Sequence, residues 1–71
     1  MRAELLSPLA RSAMRLAGKL LDLSDSLFDL DAALDCKIRV EEEYLEGLKL
    51  RARLIAEEAE KLAEKLEEAL K

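Results

Sequence analysis

The chain contains no histidine, tryptophan, asparagine, glutamine or threonine. It has one cysteine (Cys36), one proline (Pro8), two glycines (Gly18 and Gly47) and two aromatic residues, Phe28 and Tyr44. Each shortage excludes a class of chemistry. Without imidazole there is no Ser-His or Cys-His nucleophile pair and no His metal ligand. A single thiol excludes an intrachain disulfide and a Cys-rich zinc site. Two isolated glycines do not make a phosphate-cradling loop. No apolar run approaches the ~18 residues that a membrane span needs. Met1-Arg2 leads into mixed residues that include Glu4, not into a signal-peptide core. The formal net charge is −4, and no basic patch is interleaved with aromatics. Nucleic acid is therefore not an expected partner. No catalytic residue, metal ligand or cofactor site is expected, and the chain is expected to be soluble, and cytoplasmic when expressed.

What is present is helix-forming. Ala, Leu, Glu, Lys and Arg make up 51 of 71 residues, the composition of long helices and coiled coils. Ser7-Pro8 has the form of a helix start, Ser as N-cap and Pro at the first helical position. From there Leu6, Leu9, Ala13, Leu16, Leu20, Leu23, Leu27, Leu30 and Leu34 alternate spacings of three and four, a heptad seam. It predicts a first helix over about 8–35. The period breaks at Asp35-Cys36-Lys37-Ile38-Arg39-Val40, which predicts a connection at about 36–40. Glu41-Glu42-Glu43 suits the positive end of a second helix. That helix is expected over about 41–69, with the seam Leu45, Leu48, Ala52, Ile55, Ala59, Leu62, Leu66 and Ala69.

The expected fold is all-α, a single domain over residues 1–71 in which two long helices form an antiparallel hairpin. Folding about residue 38 brings Lys19 to Glu57 and Glu58, and Arg11 to Glu64 and Glu67. It also brings Asp22, Asp25 and Asp29 to Lys49, Arg51 and Arg53. The alternative is a three-helix bundle with a break near Ser24, where Ser26 and Asp29 would cap a new helix.

Beside the seam of the first helix runs a second stripe: Ala10, Met14, Ala17, Leu21, Ser24 and Phe28. The second helix adds Tyr44, Leu50 and Leu54 off its seam. One hairpin partner does not cover both stripes. Burying Met14, Leu21 and Phe28 is worth about 1.5–3 kcal/mol each. These nine residues are therefore candidate interface positions. The expected function is non-enzymatic self-assembly, two hairpins pairing into a homodimeric four-helix bundle. The alternative is a binding module that docks the first helix onto a different protein. Cys36 reads as a small, inert residue, since no base is at hand to activate it. The carboxylates at 22–43 read as a solvated face and a helix start. Leu27-Phe28-Asp29-Leu30-Asp31 resembles a clathrin-box peptide, and residues 25–35 resemble an acidic-hydrophobic activation segment. Both kinds of motif act as flexible peptides, whereas here the leucines belong to a helical seam.

The stretch from Ala56 to Lys71, AEEAEKLAEKLEEALK, is filled with strong helix formers. With the Ser-Pro start, it makes the whole chain resemble computationally designed helical bundles. Met14, Gly18, Phe28, Cys36 and Tyr44 depart from that economy, and a partner-specific face is expected among them.

Overall fold

The computed structural model describes residues 2–71. They form a 3-10 turn, Ala3–Leu5, followed by two helices, α1 (Leu6–Asp35) and α2 (Glu42–Leu70). No strand occurs among the described residues. The helices pack against each other along a body of 53 × 16 × 12 Å.

α1 begins two residues before the expected start. Its N-cap is Leu5, with no side-chain cap, so Ser7 does not cap and Pro8 is the third helical residue. The reason is upstream. The Arg2 amide donates to the Ala69 carbonyl at 2.7 Å, and Leu5 N–H donates to Arg2 O at 3.1 Å. The chain is already coiled when it reaches Leu6. Pro8 is tolerated there because the amides of a first helical turn have no intrahelical acceptor. α1 then runs unbroken through Ser24-Asp25-Ser26, so the break near Ser24 is absent. Ser26 directs its hydroxyl to the Asp22 carbonyl one turn back, at 3.1 Å, instead of capping a new helix.

α1 ends in a Schellman arrangement. Ile38 N–H donates to Ala33 O at 2.9 Å and Lys37 N–H to Leu34 O at 3.0 Å. The left-handed residue this requires is Lys37, at φ 57°, where glycine is usual. Residues 38–41 belong to no helix or strand, and α2 starts at Glu42, one residue later than expected, after Glu41 in an extended conformation at φ −71°, ψ 140°. Glu42 and Glu43 occupy its first turn, where negative charge favours the helix dipole.

The core is small. Leu9, Leu23 and Leu48 are buried at 7% exposure and Ala69 at 0%. Leu16 and Leu30 on α1, and Ile55 and Leu62 on α2, are half-buried. Lys19 Nζ pairs with Glu58, Arg51 Nη1 donates to Ser26 Oγ at 3.2 Å, and Arg2 approaches Glu68 at 3.9 Å. Of the expected interhelical charge pairs only Lys19–Glu58 forms among the described residues. Arg11 reaches neither Glu64 nor Glu67. Asp22, Asp25 and Asp29 form no ion pairs with Lys49, Arg51 or Arg53, because Arg51 faces Ser26 and Lys49 faces Glu46.

Candidate functional site

Each helix carries two heptad rows, and the intrachain contact covers one of them. On α1 the row Leu9, Leu16, Leu23, Leu30 is buried or half-buried. So are Leu5, Ser26 and Ala33, which lie on the flank beyond it. The other row, Leu6, Ala13, Leu20, Leu27 and Leu34, stays exposed. α2 behaves the same way. Leu48, Ile55, Leu62 and Ala69 are covered, while Leu45, Ala52, Ala59 and Leu66 are not. The seam expected to close the hairpin is thus half used. α2 sits to one side of it, which is how Lys19, Ser26, Arg51 and Glu58 come to meet.

The second stripe of α1 lies beyond the open row. Met14 is 74% exposed, Leu21 67% and Phe28 72%. Ala10 and Ala17 are exposed as well, and Ser24 is half-buried in a shallow dent with Leu27, Phe28 and Asp31. At helical spacing the open row and the stripe adjoin, so α1 presents one continuous apolar band from Leu6 to Leu34. The candidates on α2 do not form one patch. Tyr44 lines a groove at the connection with Leu30, Ala33 and Val40. Leu54 sits with Lys19, Arg51 and Glu58. Leu50, two residues from covered Leu48, projects from a different face. Leu50 and Leu54 are themselves 60% and 54% exposed; beside the covered row α2 also exposes Leu45, Leu66 and Leu70, together with Ala52, Ala56, Ala59 and Ala63. They were missed because a two-row seam reads as one core; the available signal was that two rows on each helix exceed what one partner covers.

On another side, the interhelical groove sets Leu16 and Leu62 among Ser12, Arg15, Lys19, Glu58, Lys61 and Lys65. The charges of α1 are segregated. Arg11, Arg15 and Lys19 fill its first half, and Asp22, Asp25, Asp29, Asp31 and Asp35 its second. Neither the first turn holds an acid nor the last turn a base, so the charge runs against the helix dipole. Cys36 is exposed at the α1 C-cap, its N–H donating to Ala32 O. Among the described residues no group of His, Cys, Asp or Glu side chains is gathered to hold a metal ion. No described helix is long and apolar enough to cross a membrane. No protein-family model, curated protein or solved structure matches the chain.

Proposed function

We propose that this chain is a non-enzymatic assembly protein: an antiparallel helical hairpin whose open apolar face pairs with that of a second copy to form a four-helix bundle. Antiparallel pairing is supported by contacts that join the two chain ends (Arg2 with Ala69) and, nearer the connection, Ser26 with Arg51. With α2 running back along α1, helix handedness sends both uncovered rows to the same side of the pair, and the groove that carries Arg15, Lys61 and Lys65 to the other. The hairpin is then one layer of a two-layer fold, and layered folds are stable when both layers are present.

The observation that carries this reading is the uncovered area. A compact 8.0 kDa chain exposes about 4,500 Å², whereas this one exposes 5932 Å². The excess, roughly 1,400 Å² per chain, is in the range that permanent homodimers bury. The radius of gyration, 16.4 Å, also exceeds the ~11 Å of a compact chain of this length. The test is Leu21→Glu with Phe28→Glu. Expected is loss of the two-chain mass and of most thermal stability, because burying two charges in a bundle core is strongly unfavourable. An unchanged mass and melting point would remove this face as the interface. A native single-chain mass would favour the docking of α1 onto a different protein.

A further inference from the structure

Resting on the self-association reading, we infer that the second copy meets α1 with its own α1, antiparallel, about a twofold axis at the level of Lys19. The charge pattern selects this orientation. An antiparallel copy lays the basic first half of α1 on the acidic second half of the other, and the reverse. A parallel copy sets like charge on like. α2 has no such two-halves segregation, since acids stand both before its bases Lys49, Arg51 and Arg53 (Glu42, Glu43, Glu46) and after them (Glu57, Glu58, Glu60).

The side chains then fit layer by layer. Ala10 faces Phe28 of the partner subunit, Ala17 faces Leu21 of the partner subunit, and Ser24 faces Met14 of the partner subunit. Every large residue of the stripe meets a small one, the arrangement that lets two helices approach closely without voids. On the inner flank, Leu20 of the open row meets Leu20 of the partner subunit. On the outer flank, Arg11 meets Asp25 of the partner subunit, twice by symmetry. Neither Arg11 nor Asp25 has an ion-pair partner within the chain among the described residues. Gly18 lies between them on that flank and meets Gly18 of the partner subunit. Within one chain a Cβ added at Gly18 touches nothing within 4 Å. The intrachain packing gives no reason for glycine in mid-helix; close approach of a second helix does.

The test is a charge-reversal cycle read by light scattering on dilution. Arg11→Asp alone and Asp25→Arg alone are each expected to weaken the dimer about tenfold, from two repulsive contacts apiece. The double variant is expected to recover native affinity to within about twofold. Within one helix these residues stand ~21 Å apart, so rescue reports pairing between copies. In a Cys36→Ser background, Gly18→Cys is expected to oxidise to a covalent dimer, and Arg15→Cys, on the polar side, is not. Dimers indifferent to the single reversals, a double variant without rescue, or no cross-link at position 18 would each overturn this arrangement while leaving self-association standing. A native chain of single-chain mass overturns both.

Discussion

Lys37 holds a backbone conformation that disfavours residues with a Cβ by about 1–2 kcal/mol. It stays there because Ile38 and Lys37 amides close the end of α1 on the Ala33 and Leu34 carbonyls. Lys37→Gly keeps both hydrogen bonds and relieves the clash. Urea unfolding is expected to show a gain of about 0.5–1 kcal/mol, less than the full relief because glycine also loosens the unfolded chain. A loss of stability would mean that residue 37 does not take this conformation. Gly47 makes a complementary case. It lies inside α2, and an added Cβ meets nothing within 4 Å. Gly47→Ala is expected to stabilise by about 0.8–1 kcal/mol, the helix-propensity difference. The same substitution at Gly18 gains propensity but intrudes on the proposed close approach, so it is expected to stabilise less than its counterpart at Gly47. Equal gains, measured at one protein concentration, would argue against a crowded contact at Gly18.

At the scale of elements, periodicity located both helices to within two residues, because an unbroken three-four alternation over four heptads has no other regular solution. It also favoured continuity through Ser24, as observed. The start of α1 was less legible. Ser7-Pro8 carries a local capping signal, but the Arg2–Ala69 hydrogen bond is a long-range contact that no local pattern announces. The left-handed Lys37 was hidden for a similar reason, since its sequence marker is ordinarily glycine or asparagine. Which heptad row faces α2 was not legible either, for Leu20 and Leu23 are chemically identical and three residues apart. That ambiguity supplies a test. Leu23 is buried within one chain, whereas Leu20 is 54% exposed. Leu23→Ala is expected to cost about 2–5 kcal/mol, as buried leucines do. In the proposed bundle Leu20 is equally buried, so Leu20→Ala is expected to cost a similar amount. A cost for Leu20→Ala within about 0.5 kcal/mol of zero, the usual range for a surface site, would leave that row in water.

For the whole molecule, the stripe of α1 was visible in the sequence as an apolar face in excess of one partner's reach. On α2 the exposed apolar residues Leu45, Leu66 and Leu70 became apparent only once the covered rows were known, and Leu50 and Leu54 are exposed on another face of that helix. Among the described residues a single chain buries three leucines and one alanine, a thin core for a chain that must order two helices of 30 and 29 residues. The proposed assembly would add a second apolar contact along the full length of α1, and stability would accordingly depend on protein concentration. Salt separates the two contributions. The apolar face is insensitive to screening, whereas the proposed pairing of basic and acidic halves of α1 is expected to weaken when the screening length falls to ~3 Å near 1 M salt. The measurement that bears most directly on self-association is the mass of the native chain in solution, followed by light scattering over a range of concentrations. The hairpin-dimer account predicts twice the 8.0 kDa chain mass, falling toward one chain only on strong dilution. A mass of 8.0 kDa at every concentration would contradict it.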